Sequence, residues 1–209
     1  MQLTTVIVTR NVSVSVKTLH TLLKLNILCI QKNIANEIVF IKDDAFEKHD
    51  LLVKKLKHCE RILWIEYGLF VDEETLTRLL SPFPKNGNIL VAPCVTEGID
   101  WTMFKKKVRD YSTEPKSQMG LNFDTEVSKK IEEHMYEVTK TTPRVWAADS
   151  KSILRAFKDK AFPSKPSEFF EKCIQRGLKV QAYTNANLIV TYPHECLGNI
   201  LETAGVKVG

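Results

Sequence analysis

The chain lacks most of the patterns that announce a function. Its five cysteines (Cys29, Cys59, Cys94, Cys173, Cys196) are odd in number and scattered, with no CxxC pair. That spacing argues against a disulfide framework and for reduced thiols in a cytosolic compartment. No apolar run approaches the ~20 residues needed to span a bilayer, and no cationic-then-apolar leader opens the chain. GxxxxGK[ST] and GxGxxG are both absent, which weakens phosphate-loop and dinucleotide readings. GxSxG is absent too, so no nucleophile elbow is expected. His58-Cys59 has no partner at zinc-ligand spacing. Excess charge is also scarce. Thirty Lys and Arg face 25 Asp and Glu, net +5, which suits a phosphorylated ligand but falls short of a dedicated nucleic-acid surface.

What is present is a patterned α/β chain of 209 residues, 44% hydrophobic and 26% charged. By the prior of about 150 residues per domain, that is one domain, or one with a lobe. Leu3–Thr9 reads as a first buried strand. Ser13 or Ser15 caps a helix to about Lys32, with Leu19, Leu22, Leu23, Ile27 and Ile30 at helical spacing. Ile38–Ile41 is a second strand, stopped by Lys42-Asp43-Asp44, and Phe46–Leu56 a second helix. The organising stretch is Arg61–Leu80, RILWIEYGLFVDEETLTRLL. Its apolar run reads as a central strand ending at Glu66-Tyr67-Gly68, and Asp72-Glu73-Glu74 opens a helix. Asn88–Pro93 supplies a fourth strand, and three β-α units followed by a strand predict a parallel sheet.

Glu97–Asn122 is polar and reads as a loop with one helix near Trp101–Arg109, where Lys105-Lys106-Lys107 is most simply a solvated face. Strands are predicted over Met135–Lys140 and Arg144–Ala148. Helices over Lys151–Lys158 and Ser167–Arg176 follow, and strands near Lys179–Tyr183 and Leu188–Thr191 close the pattern.

Ligands of open α/β sheets sit at strand carboxyl ends, and three successive ends are polar here. Arg10 and Lys42 could neutralise a diphosphate, Asp44 could accept from a ribose or base, and Glu66 could hold a hard divalent cation. Each residue alone is ordinary strand-end polarity; their joint occurrence makes the site candidate. Glu168, at a helix start, is either a site carboxylate or only a dipole-favoured one.

TVIVTRN, the Asp-Asp pair after the second strand, and FVDEETLTRLL resemble GT-A-type glycosyltransferases, as does SEFFEKCIQRGLKVQAYTNANLIVTYPHE near the end. WIEYGLFVDEETL and TYPHE look most like the small chlorovirus-encoded domains that glycosylate a capsid protein. The resemblance implies a GT-A-like, Rossmann-like and mostly parallel sheet flanked by helices. Residues 1–96 would form the nucleotide-sugar-binding half, and 97–209 a smaller acceptor and catalytic half of the same domain. It implies sugar transfer from a nucleotide-diphosphate donor, a UDP-sugar, to a glycan or glycoprotein acceptor, with neither nucleic acid nor a membrane span involved. Thr9, Arg10 and Asp44 become nucleotide contacts, and Glu66-Tyr67-Gly68 stands where the family has its metal-binding Asp-x-Asp. Glu66 and His194 become candidate ligands of Mn²⁺ or Mg²⁺, with Glu168 the base of an inverting reaction and Asp149 the fallback. Gly68 departs from the second acid of that motif. A non-catalytic nucleotide- or glycan-binding module is the alternative.

Overall fold

The structure is a computed structural model, and it describes residues 1–10, 13–96, 100–113, 116, 118–158, 162–163, 165 and 168–190. In chain order the elements are β1 (Gln2–Thr9), α1 (Val16–Gln31), β2 (Ala35–Lys42), α2 (Ala45–Leu56), β3 (Arg61–Ile65), β4 (Leu69–Val71), α3 (Glu73–Leu80) and β5 (Ile89–Ala92). Then come α4 (Trp101–Arg109), β6 (Thr125–Glu132), β7 (Met135–Thr141), β8 (Val145–Asp149), α5 (Ser150–Ala156), α6 (Phe169–Gln175), β9 (Val180–Tyr183) and β10 (Leu188–Val190).

Eight strands form one sheet in the order β2-β1-β3-β8-β5-β9-β7-β6. Six run the same way, while β8 and β7 oppose them. The predicted parallel run is thus broken at one place: β8 lies between β3 and β5, antiparallel to both. Strands from both halves of the chain therefore share one sheet. Helices α1 and α3 cover one face through Leu22, Leu25, Leu28, Leu76, Leu79 and Leu80. Helices α2, α5 and α6 cover the other through Leu52, Leu56, Ile153, Phe157, Phe169 and Phe170. Burial on both faces explains why β1, β3 and β5 read as continuous apolar runs.

Ser15 caps α1, accepting from the Thr18 amide at 3.2 Å. The side of α1 facing the sheet is not the stripe the spacing suggested. Thr18, Thr21, Leu22, Leu25, Leu28 and Cys29 are buried, whereas Leu19, Leu23, Ile27 and Ile30 are exposed. The two threonines are buried because they hold β4: Thr18 Oγ1 donates to the Leu69 carbonyl, and Thr21 Oγ1 accepts from the Val71 amide. β4, too short to stand out in the sequence, pairs antiparallel with β10.

The described cysteines Cys29, Cys59, Cys94 and Cys173 are buried free thiols, and burial pushes Cys173 up to about 12 and Cys94 to about 11. Among the described residues no helix is long and apolar enough to cross a membrane.

Candidate functional site

Strands β2, β1 and β3 are parallel neighbours, so their carboxyl ends meet on one rim. Arg10 follows β1, Asp43 follows β2 and Glu66 follows β3. The fourth member is Lys48, from the first turns of α2. Arg10 Nε lies 2.8 Å from Asp43 Oδ2, and Lys48 Nζ lies 2.6 Å from Asp43 Oδ1. Lys48 also donates to both Glu66 oxygens, at 2.9 and 3.2 Å, and Trp64 Nε1 donates to Glu66 Oε1 at 2.9 Å. Arg144, just before β8, donates to the Tyr67 carbonyl at 3.3 Å, and its own carbonyl accepts from the Glu66 amide. The Arg10 guanidinium lies 5.4 Å from the Tyr67 ring centroid. Gly68 carries φ +75°, a conformation that leaves the tripeptide free to turn into β4.

Three cations and two carboxylates therefore share the rim, leaving it positive. Burial works to raise the Asp43 pKa, but hydrogen bonds from Lys48 and Arg10 outweigh it and hold that carboxyl below its ordinary value. For Lys48, burial works against the charge, and the carboxylates of Glu66 and Asp43 more than restore it. Deeper in the sheet, burial raises the pKa of Asp124 although it accepts from the Cys94 amide, the Thr125 hydroxyl and the Arg144 amide.

Beside Glu66 opens a cavity of about 200 Å³, walled chiefly by Leu52, Trp64, Pro143, Trp146, Phe169 and Phe170, with Lys48 and His49 at its polar edge. Trp64 and Trp146 stack at 5.7 Å with their planes 9° apart. His49 Nε2 is buried without a hydrogen-bond partner among the described residues. The cavity offers flat aromatic surface with one carboxylate and one ammonium at its rim.

The residues singled out in the sequence fare unequally. Arg10, Glu66 and Tyr67 converge. Thr9 is buried and spends its hydroxyl on the Ile41 carbonyl, and Lys42 is exposed at the end of β2. Asp44 caps α2, its Oδ1 accepting from the amides of Phe46 and Glu47 at 2.9 Å each, so the rim acid is its neighbour Asp43. The signal was in the sequence: Asp44 with Glu47 three residues on has capping-box spacing. Asp149 is displaced from the rim altogether. It pairs in register with Arg61, at the opposite end of β3 from Glu66, and caps α5 through the Ser152 amide at 2.8 Å. The antiparallel insertion of β8 put it there. Glu168 stands at the start of α6, next to Phe169 and Phe170 of the cavity wall, with Lys165 Nζ 3.7 Å from its carboxylate. His194 lies outside the described residues. Lys48 and Arg144 carried no sequence signal, since contacts across the fold assign them.

The same geometry tests the expected cation. Both Glu66 oxygens are engaged by Lys48, and one also by Trp64, so a metal arriving there would meet an ammonium. Gly68 supplies no second carboxylate. Among the described residues, no group of three or more His, Cys, Asp or Glu is placed to hold a metal. These residues do not fit a cation held by protein carboxylates.

No protein-family model matches the chain, and no curated protein does. Solved structures do. A197 from STIV superposes with a TM-score of 0.54 at 13% identity, over 92% of this chain and 86% of that one. GalNAc-T7 with UDP, GalNAc and Mn²⁺ gives 0.52 at 11% identity, over 91% of this chain and 44% of that one. A Drosophila β-1,4-galactosyltransferase 7 variant in complex with manganese, UDP-Gal and xylobiose gives 0.49 at 10% identity, over 94% and 73%. At such identities the likeness is one of fold, and the chain has a GT-A-like α/β fold.

Proposed function

We propose that the chain is a glycosyltransferase that binds a nucleotide-diphosphate sugar, a UDP-sugar, across the ends of β1, β2 and β3 and transfers the sugar to a glycan or glycoprotein hydroxyl. The observation that carries the reading is the network Arg10–Asp43–Lys48–Glu66 at three adjacent strand ends of a GT-A-like sheet. In this reading Arg10 and Lys48 meet the charge that develops on the departing diphosphate, preorganised by the two carboxylates that fix them. The aromatic cavity beside Glu66 takes the acceptor, whose sugar rings stack on flat apolar walls. Glu168 takes the proton of the attacking hydroxyl as the bond from the anomeric carbon to the diphosphate oxygen breaks. No step is routed through a metal, since Glu66 is committed to Lys48.

A second reading has one observation in its favour. With no second acid at Gly68 and with Glu66 ion-paired, the same rim could bind nucleotide or glycan without turnover. A thermal-shift panel of nucleotide sugars followed by a donor-hydrolysis assay separates the two. Stabilisation with hydrolysis supports the transferase, stabilisation without hydrolysis supports the binding module, and no shift with any donor refutes the transferase and a nucleotide-binding module alike.

A further inference from the structure

Helix α1 is apolar on two sides. Its inner side fills the core, while its outer side presents Val16, Leu19, Leu23, Ile27 and Ile30 at spacings of three and four residues, each at least half exposed. Leu23 and Ile27, mid-helix, are both 56% exposed. A helix apolar all round is ordinarily covered. Phe40 of the adjoining edge strand β2 is 54% exposed and shares the sheet face of Ile38, which packs against the α1 side, so it extends the patch. Single exposed apolar residues need no explanation, but a continuous row of this length does.

On α1 itself the charges are of one sign, while its packed neighbour α3 opens with the acids Asp72, Glu73 and Glu74. No acidic residue precedes Glu37 in the chain, whereas Arg10, Lys17, Lys24 and Lys32 do. Lys17 and Lys24, seven residues apart, flank the row on one side, with the Lys24 ammonium 5.9 Å from the Phe70 ring. A second copy packed α1 on α1 would bring lysines to lysines with no carboxylate on either helix to pair them. The cavities beside Trp146, Lys129, His134 and Gln175 take no lining residue from α1. A protein partner would have to bring its own groove. A fluid anionic surface needs neither groove nor matched acids.

We propose that α1 lies on an anionic lipid surface, its outer row of Val16, Leu19, Leu23, Ile27 and Ile30 inserted between headgroups and Lys17 and Lys24 among their phosphates. This is attachment in the interface plane, not a span. It is independent of what the strand-end site binds.

Flotation of the full chain with phosphatidylcholine vesicles, with and without phosphatidylserine, tests it. The full chain floats with the phosphatidylserine vesicles, less so as salt rises. L23D/I27D loses flotation while keeping its circular dichroism and its nucleotide response, both positions being exposed. K17E/K24E binds more weakly by about fivefold or more per lysine. Absence of flotation with anionic vesicles overturns the proposal, and so does flotation that L23D/I27D leaves intact. A dimer in sedimentation equilibrium that L23D/I27D dissolves, with no vesicle binding, would give the face to a second copy instead.

Discussion

Removing Lys48 tests the network more sharply than any other substitution. In Lys48→Met, among the described residues, Asp43 keeps only the Arg10 side chain and Glu66 only the Trp64 indole as side-chain partners. Two partly exposed carboxylates, with side chains 29% and 23% accessible, are then left under-compensated. Exposed pairs are worth about 0–1 kcal/mol, and stripping one partner from a buried pair costs about 3–5 kcal/mol. With Lys48 at 15% and its partners more open, the loss falls near ~2 kcal/mol. For a domain of this size that is a drop of roughly 4–8 °C in Tm. Adding Glu66→Gln removes the orphaned charge while keeping an acceptor for Trp64. The double variant therefore recovers about half the loss, with a coupling of at least ~1 kcal/mol in the cycle. Circular dichroism melts of wild type, both single variants and the double variant supply the four corners. A strictly additive cycle, or a Lys48→Met melt indistinguishable from wild type, refutes the network as described.

Asp44→Ala loses a helix cap, so it melts earlier by the equivalent of about 1 kcal/mol, while calorimetry finds its UDP affinity unchanged. Asp149→Asn likewise alters stability only and leaves kcat and acceptor KM as in wild type, because it stands at the far end of β3 from Glu66. Glu168→Gln lowers kcat by about 10²-fold or more with donor affinity nearly unchanged; if turnover is unaffected, the base lies elsewhere. Asp43 has a depressed folded pKa, so its contribution to stability is present above its ordinary 3.8 and is lost as pH falls through the lower folded value. Wild type should accordingly exceed Asp43→Asn in stability at neutral pH, and acid titration of the two should show the gap closing below about pH 3.8.

Much of the fold was legible because burial writes itself into local pattern. The β1, β3 and β5 runs, the Asp72 cap of α3 and the helix over Trp101–Arg109 each follow from local chemistry. What escaped has physical causes. β6, TEVSKKIE, is exposed along nearly its whole length, so it has no apolar alternation to detect. The row Leu19, Leu23, Ile27 and Ile30 has perfect helical spacing but faces outward, because the inner side of α1 spends Thr18 and Thr21 on β4. The insertion of β8 between β3 and β5 is a long-range choice that no local pattern encodes, and it decides the place of Asp149. At the candidate site, the convergence of Arg10, Glu66 and Tyr67 on one rim was legible from strand ends alone. Choosing Asp43 over Asp44 required recognising the cap, and Lys48 and Arg144 required the tertiary fold.

The most direct measurement is calorimetric titration of UDP into the wild-type chain and into Arg10→Ala, each with and without chelator. The account predicts saturable binding to wild type that chelator leaves in place. Losing a charge-assisted hydrogen bond of about 1.5–3 kcal/mol should weaken Arg10→Ala by roughly 10- to 150-fold. Equal affinity in the two proteins, or no binding of UDP to wild type, would contradict it.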